Sequence, residues 1–361
     1  MQKSDNREEK EAEFSVLKKV SELSKEANIL MRKGQLDQAL TLFLQAYELD
    51  SINPYVLVGL GDVYRKKKQF EPSIEHYRRI LEIDGNNTFA LKGVGHSYAG
   101  LGRYPEAIEV WDKYVGFNEF DFFVLTSLGD AHKKIHQYEK AEQNYLRALE
   151  INNGDKYIFL GLGDLYYKMG RDEESIFYCD KLLEIDENFV NILTMVGNLY
   201  KKARNFSKAR EYYQRALKID PENSFALYGL GDCYRGDQNY RKAEDIWARL
   251  VTKEPRNNNV LTRLGDVYRR LGEDEKARQC YHRVLSRSNN KYARMGLSKL
   301  YRKAGEYEKA IQNYEKILEY EERKDERILV EIEATRAEIA HAGREDGNRP
   351  VAGEELGVGG M

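Results

Sequence analysis

Seven glycines, Gly61, Gly95, Gly129, Gly163, Gly197, Gly231 and Gly265, recur every 34 residues without a slip. A period of that length marks a chain assembled from copies of one small supersecondary unit. Three residues after each glycine stands Tyr64, Tyr98, His132, Tyr166, Tyr200, Tyr234 or Tyr268. Twelve after it comes a small residue: Ser73, Ala107, Ala141, Ser175, Ala209, Ala243 or Ala277. Four beyond that sits Tyr77, Trp111, Tyr145, Cys179, Tyr213, Trp247 or Tyr281. Upstream, Ala27, Gly34, Ala39 and Phe43 keep the frame, with alanine in place of the key glycine. Downstream, Ser298, Tyr301, Ala310 and Tyr314 keep it after a one-residue deletion near 288–290. The frame divides residues 20–324 into nine units, 20–53, 54–87, 88–121, 122–155, 156–189, 190–223, 224–257, 258–290 and 291–324.

Each unit reads as two helices. Leu57, Leu60, Gly61 and Tyr64 fall at helical spacing; a break follows, often marked by glycine (Gly102, Gly170, Gly272, Gly305); then Ala107, Trp111 and Val115 share one face of a second helix. A glycine inside a helix costs about 1 kcal/mol relative to alanine. Its recurrence therefore requires a larger gain, and close approach of two helices supplies one. The small residue of the Ala107 series serves the same approach, and the aromatic after it fills the space beside it. One hairpin cannot bury both its faces, so each unit leans on the next and the ends need caps. From 325 to 342, Ile328, Ile332, Thr335 and Ile339 form an apolar stripe among charges, the pattern of a capping helix. The glycine-rich, charged stretch 343–361 is expected to be disordered. Residues 1–19 form a polar N-terminal segment, loose to about Phe14 or a frayed extension of the first helix.

Charge and chemistry narrow the function. Lys and Arg number 58 against 60 Asp and Glu, a net charge of -2, so there is no whole-chain attraction to nucleic acid or anionic membrane. No apolar run of membrane-spanning length occurs, and the start, MQKSDNREEKEAEF, lacks the apolar stretch of a secretory signal. Cys179, Cys233 and Cys280 are odd in number and lie on core-like helical positions, which suits reduced thiols and a cytoplasmic setting. There is no P-loop, no dinucleotide fingerprint and no C-x-x-C pair, so no cofactor is expected. His132 and His136 are spaced to share a helical face, but no third ligand joins them, so no metal is expected either.

The units resemble the tetratricopeptide repeat family, whose signature reads here as Leu230-Gly231-Asp232-Cys233-Tyr234, then Ala243 and Trp247, then Pro255. The first signature position carries Leu or Phe rather than Trp, and the closing proline survives only as Pro221 and Pro255. The resemblance implies an all-α fold, a right-handed α-solenoid of nine helix-turn-helix repeats plus a C-terminal capping helix. It also implies a non-enzymatic scaffold or adaptor that binds other proteins, an extended peptide or a helix, in a concave groove. In the family, the second, fifth, ninth, twelfth and thirteenth positions of each first helix face that groove. Carried over, the second positions are Tyr55, Phe89, Phe123, Tyr157, Asn191, Phe225, Asn259 and Tyr292, six of them aromatic. These rings either contact a partner or pack between adjacent first helices.

The ninth positions are Asp62, His96, Asp130, Asp164, Asn198, Asp232 and Asp266, followed by bases such as Arg65, Lys66, Lys133, Lys168, Arg235 and Arg269. Pairs such as Asp62 with Lys66 or Asp164 with Lys168 would zip the groove by about 0.2–0.5 kcal/mol each. Surplus bases could instead hold carboxylates of an acidic partner. The third unit departs from the pattern, with Lys92, His96, Ala99 and Gly100, which suggests a hollow with an aromatic and cationic rim. The turn after it, Gly116 to Phe123, holds Phe117, Phe120, Phe122 and Phe123, a candidate contact point. The Lys/Asn clamp by which some family members grip a chaperone's terminal carboxylate is missing: Lys92 is followed by His96, and Asn198 is preceded by Thr194. An RNA-binding solenoid and a self-assembling structural protein are the alternatives to a scaffold, and a monomer is expected. If the glycines mark close helix contact, Gly129→Leu lowers stability by several kcal/mol through overpacking while Lys67→Ala is near neutral. Equal thermal midpoints for the two variants would contradict that reading.

Overall fold

The computed structural model describes residues 2–320 and 325–346, with side chains from 14 to 320 and from 325 to 341. Every element among the described residues is a helix. The chain divides after Glu187 into two compact units. The first holds α1 (Gln2–Arg32), α2 (Leu36–Leu49), α3 (Pro54–Lys66), α4 (Phe70–Ile83), α5 (Thr88–Gly100), α6 (Tyr104–Val115), α7 (Phe122–Lys134), α8 (Tyr138–Ile151), α9 (Lys156–Met169) and α10 (Asp172–Ile185). The second holds α11 (Val190–Lys202), α12 (Phe206–Ile219), α13 (Ser224–Gly236), α14 (Tyr240–Lys253), α15 (Asn258–Leu271), α16 (Asp274–Leu285), α17 (Lys291–Lys303), α18 (Tyr307–Tyr320) and α19 (Glu326–Asp346). Within each unit, consecutive helices pack as antiparallel hairpins and successive hairpins stack. Helix α1 starts at Gln2, and α19 runs to Asp346, so helix covers the first residues of the stretch read as a disordered tail; 347–361 lie outside the described residues.

Caps and turns fix the ends. The side chains of Asn53, Asn87, Asp121, Asp155, Asn223, Asn257 and Asn290 accept backbone N–H groups at the starts of α3, α5, α7, α9, α13, α15 and α17. Each such cap is worth about 1 kcal/mol. Between the helices of a hairpin the chain turns through one left-handed residue. Gly34, Gly102, Gly170, Gly272 and Gly305 take that place without strain, whereas Lys68, His136, Arg204 and Gln238 take it near φ 60°.

The core repeats one arrangement. Ala107, Ala141, Ala209, Ala243 and Ala277 are fully buried on the second helices, and Ser73 and Ser175 bond instead to the carbonyls of Gly61 and Gly163 at 2.7 and 2.9 Å. The side chain four residues on lies against the glycine of its own hairpin. A Cβ added to Gly61 would stand 2.6 Å from Tyr77, one on Gly95 2.3 Å from Trp111, and one on Gly163 2.7 Å from Cys179. Gly129 meets Tyr145, Gly197 Tyr213, Gly231 Trp247 and Gly265 Tyr281 in the same way. The glycines of the period are thus spaces filled by a ring, or by the Cys179 thiol at Gly163.

A second set of glycines lies two residues before the positions of the first on α3 and α5 and then on every other first helix, α9, α13 and α17. The Phe43, Tyr77, Tyr145, Tyr213 and Tyr281 rings also press on Gly59, Gly93, Gly161, Gly229 and Gly296 of the next hairpin, where an added Cβ would come within 2.1 to 2.4 Å. At these steps α3 packs on α1, α5 on α3, α9 on α7, α13 on α11 and α17 on α15. After Trp111 and Trp247 the corresponding residues are Ser127 and Arg263, and there α5 and α7, or α13 and α15, approach less closely. Two glycines cost a tyrosine step about 2 kcal/mol. Burying the ring returns about 3 kcal/mol, and its hydroxyl bond about 1 more, so the ring wins. Gly161→Ala is therefore expected to destabilise by about 1–3 kcal/mol through overpacking on Tyr145, while Ser127→Ala changes little. Urea midpoints that moved equally would refute the alternation.

Candidate functional site

The first helices carry their second-position rings outward. Val56 and Leu57 after Tyr55, Ala90 and Leu91 after Phe89, and Val124 and Leu125 after Phe123 are buried, which turns the preceding ring away from the hairpin. Tyr55, Phe89, Phe123 and Tyr157, on α3, α5, α7 and α9, are between 59% and 83% exposed. In the second unit Phe225 and Tyr292 are as open, on α13 and α17, while Asn191 and Asn259 occupy the position on α11 and α15. Phe117 and Phe120 are also exposed, whereas Phe122 is half-buried against Phe123, their ring centroids 4.0 Å apart.

Lys92 and His96 differ from the cationic rim that the sequence suggests. The Lys92 ammonium donates to Asp121 at 2.7 Å and lies 6.0 Å from the Phe123 ring centre. Asp121 also caps α7 and accepts the Tyr114 hydroxyl at 2.7 Å, so one carboxylate ties α5, α6 and α7 together. Burial raises the Asp121 pKa, but Lys92 and Tyr114 outweigh it and hold the carboxyl below its usual range. His96 sits edge-on to Trp111 at 5.1 Å, and burial pushes its pKa down to about 4, which leaves it neutral at pH 7. The expected hollow is closed at Gly100, where the Phe70 ring fills the space a Cβ would need. Removing the side chain let a neighbour in.

An open cavity of about 810 Å³ lies instead between α1, α3 and α5, bordered by Leu17, Ser24, Val58, Tyr55 and Phe89. The buried Ser24 hydroxyl beside it finds no hydrogen-bond partner among the described residues. Sequence reasoning missed the part played by α1. The signal was Leu17, Ser21, Ser24 and Asn28, spaced along one helical face.

The ninth-position acids look inward as well as outward. Asp62, Asp130 and Asp266 accept the hydroxyls of Tyr77, Tyr145 and Tyr281 at 2.6 to 2.8 Å, and Asn198 accepts that of Tyr213 at 2.7 Å. Burial raises the tyrosine pKa values well above normal, so these phenols remain donors. Asp62 pairs with Arg65 at 2.9 Å rather than with Lys66, because the Tyr77 hydroxyl draws the carboxylate toward the side where Arg65 lies. Asp164 does pair with Lys168, at 3.3 Å, and with Lys133, at 3.0 Å. Lys133 is 6% exposed and also reaches Asp130 at 3.2 Å, which balances charge across α7 and α9.

In the second unit Arg269 lies 3.8 Å from Asp266, and Arg235 is one of three cations around Asp232: Lys201 at 3.5 Å, Arg235 at 3.2 Å and Arg263 at 2.8 Å. Arg263 was not singled out in the sequence. It occupies the place where closely packed steps have glycine, and that substitution was the available signal. The named candidates therefore fall into separate groups: Tyr55 with Phe89 at the cavity, Lys92 with Phe123, and Arg235 at Asp232.

The chemistry elsewhere is structural. Cys179, Cys233 and Cys280 are buried, and burial pushes their thiols up to about 12, 11 and 11. His132 is buried and bonded to Gln137 at 2.9 Å, while His136 lies past the end of α7 in a left-handed turn, bonded to Tyr138 at 2.8 Å, so the two share no helical face. Among the described residues no group of three His, Cys, Asp or Glu is placed to hold a metal. No described helix is long and apolar enough to cross a membrane.

Stacked helical hairpins with glycine, small and aromatic residues at fixed offsets define a helical repeat protein. Sequence models of the tetratricopeptide repeat match residues 24–88, 124–155, 157–189, 190–223, 212–245 and 256–323, and the chain belongs to that family. Among solved structures it is similar to PilW, described as a widely conserved type IV pilus biogenesis factor, at 20% identity over 58% of this chain and 98% of that one, with a TM-score of 0.53. It is similar also to PilF of Pseudomonas aeruginosa, at 18% identity over 60% and 99%, TM-score 0.52. A tetratricopeptide repeat protein from Parabacteroides merdae shares 20% identity over 69% and 98%, TM-score 0.48. Likeness at these identities concerns the fold. No curated protein sequence matches the chain.

The ion pairs carry a pH signature. Burial raises the Asp164 pKa, but Lys133 and Lys168 prevail and hold it below its usual range. A carboxyl depressed in the folded state adds stability that is complete above its unfolded pKa of about 4 and is lost as pH falls through the lower folded value. Between about pH 4 and pH 2 the thermal midpoint of Asp164→Asn should fall less steeply than that of the wild type. Parallel profiles would mean that the pair adds nothing to stability.

Proposed function

We propose that this chain is a non-enzymatic, cytoplasmic adaptor that holds an extended segment or helix of another protein along the exposed face of its first helices. The observation that carries the reading is the unbroken row of open rings at Tyr55, Phe89, Phe123 and Tyr157. Four large apolar side chains at one register, on four successive first helices, form a surface that soluble proteins cover with a partner. The cavity beside Tyr55 and Phe89 offers a pocket for an anchoring side chain at one end of that row. Groove acids are engaged by tyrosine hydroxyls and bases, which argues against catalysis by free carboxylates there.

The test is recovery of partners from native extract by the wild type and by a variant with alanine at Tyr55, Phe89, Phe123 and Tyr157. Exposed rings contribute little to folding, so the variant should keep the wild-type thermal midpoint and lose most of the recovered partners. Equal recovery by both would remove the aromatic row from function.

A further inference from the structure

The three cations around Asp232 leave an excess of positive charge. In the first unit, Lys133 and Lys168 are met by Asp130 and Asp164, Lys92 by Asp121, and Arg65 by Asp62. In the second unit, Lys201 of α11, Arg235 of α13 and Arg263 of α15 converge on one carboxylate that is 8% exposed. Arg263 uses Nε for the Tyr228 hydroxyl, at 2.5 Å, and Nη1 for Asp232, which leaves Nη2 N–H groups on a side chain one-third exposed. Arg235 gives Asp232 only Nη2 and is more open still. The Tyr228 ring lies beside both Lys201 and Arg263, 5.9 and 5.1 Å from its centre, and holds the cations in place.

The chain itself supplies a pattern for what completes such a site. Arg302 stands four residues after Ser298 on α17, as Arg235 stands four after Gly231 on α13. Arg302 is met by two carboxylates, Glu331 and Glu338, which project from one face of α19. The helix that follows the α13 hairpin as α19 follows that of α17 is α15, which brings Arg263 beside Arg235 rather than a pair of carboxylates. On α13, Phe225 is exposed ten residues before Arg235, about 80° from it around the helix axis. That separation is about 15 Å along the helix, the span of four or five residues of extended chain.

We propose that the Lys201–Arg235–Arg263 cluster is the docking point for an acidic segment of a partner protein. A Glu or Asp carboxylate bonds to the Arg235 and Arg263 guanidiniums, and a large apolar side chain four or five residues away covers Phe225. The site rests on the reading that first-helix faces hold a partner, and it names the chemistry of the segment bound in the second unit.

The probe is a fluorescein-labelled twelve-residue peptide with leucine and glutamate five residues apart, compared with its glutamine counterpart by anisotropy on the full chain. The glutamate peptide should bind about tenfold more tightly, and its affinity should fall as salt rises. Arg235→Gln and Arg263→Gln should each remove most of that preference, with far-ultraviolet circular dichroism unchanged; Arg235, the more exposed, serves if Arg263→Gln unfolds. Equal binding of the two peptides, or an unaltered preference in Arg235→Gln, overturns the proposal. So does inorganic phosphate that displaces the peptide at equal concentration, since the cluster would then be a simple anion site. The variant lacking Tyr55, Phe89, Phe123 and Tyr157 keeps this cluster. If it binds the glutamate peptide normally and still recovers every native partner, only the aromatic reading fails.

Discussion

An aromatic ring held between two helix backbones is the contact on which the rest of the architecture depends. Tyr77 touches Gly61 of its own hairpin and Gly93 of the next, so one side chain joins three helices. A hydrogen at the α-carbon is what lets the backbone come that close. The hydroxyl of the same ring then reaches through to Asp62 and sets the direction of a carboxylate on the outer face. Packing and surface electrostatics are consequently one system: the ring that closes the core also decides which base the acid can meet.

That coupling explains the character of the candidate surfaces. In the first unit the acids and bases are largely spent on one another, and what is left for a partner is apolar: open rings and a cavity beside α1. In the second unit tryptophan replaces tyrosine at 247, and its indole nitrogen donates to the Tyr228 carbonyl at 3.4 Å rather than to an acid. Asp232 is then left to gather cations, and the wider step between α13 and α15 has room for Arg263. At Trp111 the same ring change stands beside His96 and Ser127 and gathers no cations, so the indole makes the room and Asp232 with Arg263 makes the charge.

The hairpin pattern was legible because it rests on sterics that act within a few residues of sequence. Glycine, alanine and aromatic at fixed offsets leave few ways to pack two helices, and the buried alanines follow from that alone. The outward rings were legible as positions, since the side chains after them are apolar, but whether they were covered was not. Contacts between hairpins were harder. The closure of Gly100 by Phe70 depends on a residue thirty positions away, and the preference of Asp62 for Arg65 depends on a hydroxyl from another helix. The Gly59, Gly93, Gly161 and Gly229 series lay in plain view. Its meaning required knowing that each falls sixteen residues after a ring, a distance that spans a turn and parts of two helices.

The alternation also constrains how such a chain can change length. Excise residues 88–121 and the Tyr77 ring would face Ser127, whose Cβ occupies the space that Gly93 leaves empty. Excise 88–155 and Gly161 arrives there instead, and the join is sterically sound. From α5 onward, past the consecutive pair Gly59 and Gly93, duplication and loss by recombination would thus be tolerated most readily in even numbers, which makes the double hairpin, rather than the single one, the natural unit of inheritance there.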